Sequence, residues 1–168
     1  MSGASAAPTA VVPSASVVPA TPSSVPSASE PADAERTDGD ALTCADGESK
    51  SISGSEQTVR LTGSCAQVSI SGSALTVDAT TAQIGTLAIA GDRVRVDAAE
   101  ITTLSVQGND GVLSSAGSIG SVDLSGDRTQ ITVAGTIASV AIRGQNNTVR
   151  AGGGIGDRTI EGRDNQVD

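Results

Sequence analysis

Residues 68–79 read VSISGSALTVDA and residues 87–98 read LAIAGDRVRVDA. In both, two aliphatic residues stand two apart, a glycine follows two residues later, and a valine lies five beyond the glycine. The same frame recurs around Gly54, Gly72, Gly91, Gly108, Gly126, Gly144 and Gly162, at steps of 18, 19, 17, 18, 18 and 18 residues. Two residues before each glycine sits Ile52, Ile70, Ile89, Val106, Leu124, Ile142 or Ile160. Five after each sits Val59, Val77, Val96, Leu113, Ile131, Val149 or Val167. A repeat this strict is one supersecondary unit stacked on itself.

Three further columns share the frame. Seven residues before the glycine stand Cys65, Ile84, Ile101, Ile119, Ile137 and Ile155, and four before it stand Val68, Leu87, Leu104, Val122 and Val140. Seven after it come Leu61, Ala79, Ala98, Val133 and Ala151, with Ser115 as the exception. Residues two apart that point the same way mark short strands, and the longer intervals hold corners. The frame glycines are expected at positive φ, where a side chain is penalised, followed by polar turns such as 91–93, 108–110 and 144–147. The long and short steps both fall around residues 78–83 and 97–100, so that corner absorbs length changes. The expected fold is all-β: a single-stranded parallel β-solenoid (β-helix) of about seven coils of 18 residues, stacked at about 4.8 Å. A left-handed hexapeptide helix would place an aliphatic at every sixth residue, which this chain does not, so a right-handed coil is expected.

The flanking chain is different. All six prolines lie between Pro8 and Pro31, in a stretch built of Ala, Ser, Pro, Val and Thr. With little apolar bulk to offset the entropy of ordering, residues 1–43 are expected to form a disordered tether and 44–168 the solenoid. From Cys44 onward there is no Pro, Met, His or aromatic residue. Missing prolines suit an unbroken backbone ladder, and a narrow tube can be filled by Val, Ile, Leu and Ala alone.

The net charge is −9. An acidic surface without aromatic stacking platforms argues against a nucleic-acid partner. The bland account of the charge is solubility. No run approaches 18 apolar residues, so no membrane span is read. Nor does a basic stretch with an apolar core mark a leader. Met1-Ser2-Gly3 ahead of a Ser/Ala/Pro spacer is the pattern of a mature exported lipoprotein whose acylated cysteine has been replaced by an initiator Met. The expected membrane contact is therefore a lipid anchor alone.

Cys44 precedes Cys65 by one coil plus three residues, which brings the two into adjacent rungs if the corner closes suitably. A bridge there would pin the first coil and contribute about 3 kcal/mol by the chain-entropy argument. Two free buried thiols are the alternative. The bridge would imply an oxidising compartment, hence an extracellular or envelope location. In the minus-four column the first coil has Lys50 and the last has Arg158, where five middle coils have Val or Leu. Inward charges at both ends read as blocks to end-to-end stacking, against the plainer reading of frayed terminal coils.

Little points to catalysis. Without His the chain lacks the commonest general base and metal ligand, and no catalytic, cofactor or metal site is assigned. Asp78, Asp97 and Asp123 recur on the outside, as in some polysaccharide-acting solenoids, but every corner here is too short to build a cleft. Gly152-Gly153-Gly154-Ile155-Gly156-Asp157 approaches a calcium-binding nonapeptide once and unrepeated, and reads as a tight corner. A threonine ladder through Thr58 and Thr76 breaks at Arg95.

The stretches Ser51-Ile52-Ser53-Gly54, Thr58 to Cys65, Val68-Ser69-Ile70-Ser71-Gly72 and Thr76-Val77-Asp78 together resemble an actinobacterial domain of unknown function found in exported proteins and lipoproteins. Its members show a leading Cys, repeated Val-x-Val-x-Gly and a second Cys one coil later. The resemblance covers about residues 44–168 and implies a β-solenoid at the cell envelope, with no activity attached. The rhythm is also similar to that of bactofilin cytoskeletal solenoids, which are cytosolic polymers without this cysteine pair. The expected role is a non-enzymatic structural or interaction module with a protein or envelope component as partner, monomeric or weakly associating end to end. The alternatives are a filament-forming solenoid and a polysaccharide-acting lyase or hydrolase.

Overall fold

The computed structural model describes Gly3 and residues 40–168. The expected tether, apart from Gly3 and its last four residues, lies outside the described residues. Strands β1 (Asp40–Ser55), β2 (Thr58–Ser73), β3 (Thr76–Asp92) and β4 (Arg95–Gln107) each run round a corner of the tube. Beyond them the coil divides into pairs: β5 (Val112–Ser115) and β6 (Ile119–Ser125), β7 (Gln130–Val133) and β8 (Ile137–Gln145), β9 (Thr148–Ala151) and β10 (Ile155–Arg163). The last is β11 (Gln166–Val167). All eleven belong to one sheet in which every ladder is parallel. The result is a β-solenoid of about seven turns with the 18-residue spacing read from the sequence.

The register reproduces the columns. Ile52 stands on Ile70, Ile70 on Ile89, Ile89 on Val106, Val106 on Leu124, Leu124 on Ile142, and Ile142 on Ile160. Ile70, Leu87, Leu104, Leu124, Ile131 and Ile142 are fully buried. Ser115, the exception in its column, is buried as well, and its Oγ donates to Ala99 O at 3.3 Å. The corner that varies in length is where register slips, between Ala79 and Gln83.

Two features differ from the sequence reading. Pairing starts at Asp40, opposite Val59, four residues ahead of Cys44. Leu42 lies opposite Leu61 and packs against the core, so the aliphatic column extends one rung further than expected. The turns after the frame glycines are also not wholly outside. Their third residues form another inward column, with Leu75, Val94, Thr129 and Asn147 each at most 2 % exposed.

The frame glycines do stand at positive φ, 140° at Gly72 and 142° at Gly144. There is a second reason for glycine. A Cβ on Gly72 would overlap the carbonyl oxygen of Gly54 one coil earlier, and a Cβ on Gly144 that of Gly126. From Gly72 onward the column can hold nothing larger. Two residues further on, Glu56, Ala74, Arg93, Asp110, Arg128, Asn146 and Asp164 all take the left-handed conformation with φ between 54° and 57°. The sequence gives only a partial sign of this: Asp110, Asn146 and Asp164 suit the conformation, whereas Glu, Ala and Arg are not turn formers of that kind. Their amides explain it: Ala74 N donates to Asp92 O and Asp110 N to Asp127 O, each reaching one coil forward.

Candidate functional site

Four places could carry function: the two ends of the rod and its two broad outer faces. At the amino-terminal end Cys44 and Cys65 are joined by a disulfide, with Cα atoms 5.2 Å apart and both residues 4 % exposed. Cys44 lies opposite Gly63, and a Cβ there would overlap Cys44 O, so glycine is what lets the first rung seat. Lys50 occupies the inward column opposite Val68, as expected. Its side chain is about a quarter exposed and its Nζ lies 2.6 Å from Glu48 Oε1. The Lys50 ammonium, helped by the Ala45 N–H, holds the Glu48 carboxyl below its ordinary value.

At the other end Arg158 stands opposite Val140 but is exposed, and its Nη1 donates to Val167 O at 3.1 Å. The equivalent carbonyl one coil back, Val149 O, accepts from Asp168 N. Arg158 thus reaches across the last coil to occupy a carbonyl that faces out of the ladder. Ile160 in this rung is 44 % exposed, whereas Ile52 in the first rung is 4 % exposed.

The longer outer face is formed by the outward residues of the later parts of β1–β4 (49–53, 67–71, 86–90 and 103–107) together with those of β6, β8 and β10. From β1 to β4 these are Ser49, Ser51, Ser53, Gln67, Ser69, Ser71, Thr86, Ala88, Ala90, Thr103, Ser105 and Gln107, all small or neutral. Charge appears only further on, where Arg143 bridges Asp123 at 3.6 Å and Glu161 at 3.0 Å.

The shorter face carries a groove of about 590 Å³, with Ala98, Ser115, Ala116 and Ala134 beside the hydroxyls of Thr58, Thr76, Thr80, Ser114 and Thr132. Asp78 and Asp97 lie in it on adjacent coils, directly paired in register. Asp78 is committed: Thr80 donates to its Oδ1 through both hydroxyl (2.8 Å) and amide (3.2 Å), and Arg60 lies 3.4 Å from Oδ2. Those bonds, Thr80's first, hold its carboxyl below the ordinary value. Asp123 lies on the other face. Of the three acids singled out in the sequence, two are brought together and the third is not. Among the described residues no group of three or more His, Cys, Asp or Glu is placed to hold a metal ion. No helix there is long and apolar enough to cross a membrane.

The sequence reading missed the polar ladder in the turn. Thr129 N donates to Asn147 Oδ1 at 2.9 Å, and Asn147 N to Asn165 Oδ1 at 3.0 Å. The amide groups also reach back, Asn147 Nδ2 to Gly126 O at 2.8 Å and Asn165 Nδ2 to Gly144 O at 2.9 Å. The 18-residue interval from Asn147 to Asn165 was the available signal. Outside it, Asn109 N donates to Asp92 Oδ1, Asp127 N to Asn109 Oδ1 and Gln145 N to Asp127 Oδ1. Arg128 forks onto Asp110 at 2.7 and 2.9 Å and holds that carboxyl below its ordinary value, with help from Arg93. These turn residues are structural.

Comparison with known families matches residues 52–91 to a family described as "Protein of unknown function (DUF3060)". The matched segment holds Cys65 and three frame glycines, and so covers the first coils of the rod. Comparisons with curated proteins and with solved structures give no match.

Proposed function

We propose that the chain is a non-enzymatic β-solenoid working outside the cytoplasm, as a structural or interaction module held out on its Ser/Pro/Ala-rich segment. Lipid anchoring or secretion then accounts for its place at the cell envelope. The observation that carries this reading is the buried disulfide in an otherwise uniform tube. A cross-link between the first two rungs suits an oxidising compartment. Among the described residues, corners of a few residues leave broad outer faces as the accessible surface. The match to a family of unknown function is consistent with a module of this kind and attaches no activity to it.

The partner face is assigned to the shorter one. Its groove offers relief and two carboxylates, while the longer face over β1–β4 presents small neutral side chains. A photo-crosslinking residue at Thr132, in the groove, should capture an envelope component that the same residue at Ser105 does not. In the producing cell, alkylation should find both cysteines blocked and the protein outside the cytosolic fraction. Free thiols in a cytosolic pool would overturn the location, and equal labelling from both faces would overturn the assignment of the groove.

A further inference from the structure

We infer that the Cys44–Cys65 bond is a mechanical stop, which prevents tension entering at Asp40 from peeling the first rung off the rod. The inference rests on the reading of the chain as a module held through its amino-terminal segment. The preceding chain enters the solenoid at Asp40, and its first five residues pair in turn with Val59, Arg60, Leu61, Thr62 and Gly63. In a solenoid each rung contacts only its neighbours. The first rung is therefore held by a single ladder, and the strands lie across the rod axis. A pull along that axis loads the pairs one after another rather than together. Each pair alone is weak, and peeling would run on through the rung.

The cross-link sits where it interrupts this process. Cys44 is in the fifth pair, immediately before the register breaks between Cys44 and Glu48. Residues 45–47 form an exposed corner that offers no resistance of its own. With the bond intact, load reaching Cys44 passes through sulfur to Cys65 in the second coil, and residues 45–64 carry none of it. Both cysteines are 4 % exposed, so external thiols reach the bond slowly and only prolonged exposure opens it. The opposite end has no counterpart, since the described residues hold this one disulfide and no free cysteine. The device is directional: it protects the end at which the preceding chain arrives.

Single-molecule pulling tests it on the full chain, with one handle at the amino terminus and one at Arg150, an exposed residue on the sixth coil, replaced by an azide-bearing residue so that no third cysteine is introduced. The oxidised protein should release no more than the four pairs ahead of Cys44, about 14 Å of chain, before the body of the rod gives way. After reduction with dithiothreitol, an early step of about 60 Å should appear, the extended length of one 18-residue rung. C44S/C65S should show the same step. Should that variant fail to fold, the wild-type chain reduced in its folded state supplies the measurement. Equal first-step forces in oxidised and reduced protein would overturn the stop. So would an equal effect of reduction with handles at Arg150 and the carboxyl terminus, because the bond would then act on overall stability. Pulling needs no partner, so failure of the crosslinking above would sink the functional reading without touching this result.

Discussion

The carbonyl oxygen of Gly126 takes a 2.8 Å hydrogen bond from Nδ2 of Asn147, and a Cβ on Gly144 would overlap that same oxygen. One atom thus meets both the glycine column and the asparagine ladder. Gly144→Ala combines a φ of 142° with a backbone collision that no rotamer relieves. The expected cost is about 3 kcal/mol, read as a lower urea midpoint at unchanged slope. A loss under half that size would mean the coils can spread locally.

The inward turn column makes a paired test. Asn147→Ala strands Gly126 O and Thr129 N in a buried site and should cost about 2–3 kcal/mol. Thr129 is different: its Oγ1 is buried with no partner among the described residues. Thr129→Val keeps the shape, removes the unpaired hydroxyl and should raise stability by about 1 kcal/mol. Thermal unfolding of the two variants side by side checks the opposite signs.

The left-handed column makes another. Ala74 holds φ at 54°, a conformation that costs an L-residue about 1–2 kcal/mol. Ala74→Gly should therefore stabilise by about 0.5 kcal/mol after the added chain entropy. Ala88→Gly, the same chemical change within β3, should destabilise by a similar amount. Denaturation curves that move both variants the same way would contradict the backbone account.

These contrasts mark what the sequence could reveal. Val68, Ile70, Val77 and their equivalents repeat one chemistry at one spacing, so coil, register and core were all legible from it. The turn column was not, since it passes from Leu75 and Val94 through Gly111 to Thr129 and Asn147. Periodicity detects a conserved property, and here burial is conserved while polarity is not. The uniform φ of Glu56, Ala74 and Arg93 was illegible for a related reason: forward-reaching amide bonds impose it against residue preference. The disulfide could be read because one column contains Cys65 where all the others contain Ile. The groove over Asp78 and Asp97 is surface relief spread over several coils, from Thr58 to Ala134, which residue types do not announce.

Acid should weaken the protein in a defined window. Glu48, Asp78 and Asp110 are held below their ordinary values of 4.5, 3.8 and 3.8, by Lys50, Thr80 and Arg128 respectively. Groups with depressed folded values stabilise above the unfolded pKa and lose that contribution as pH falls through the folded one. With no His in the chain, urea midpoints should be flat from about pH 5 to 8 and fall below pH 4. Asp110→Asn should shallow that fall. A midpoint that declines between pH 7 and 5 would rule out these carboxylates as the cause.

End-to-end growth is the last expectation. If two copies stacked in register, Lys50 of one would enter the column occupied by Arg158 of the next, where Val68, Leu87, Leu104, Val122 and Val140 stand inside the rod. Two like charges would face each other in an apolar shaft, and desolvating them is costly even with Glu48 beside Lys50. Arg158 also takes Val167 O at 3.1 Å, a carbonyl that a following rung would need. K50V/R158V removes the repulsion and frees the carbonyl while continuing the aliphatic column at both ends. It should sediment as concentration-dependent oligomers and give rods longer than the monomer by negative-stain microscopy, while the parent chain stays monomeric. Each single variant leaves one buried charge at the junction and should associate more weakly than the pair. If the double variant remains monomeric at millimolar concentration, something other than these two side chains keeps the ends apart.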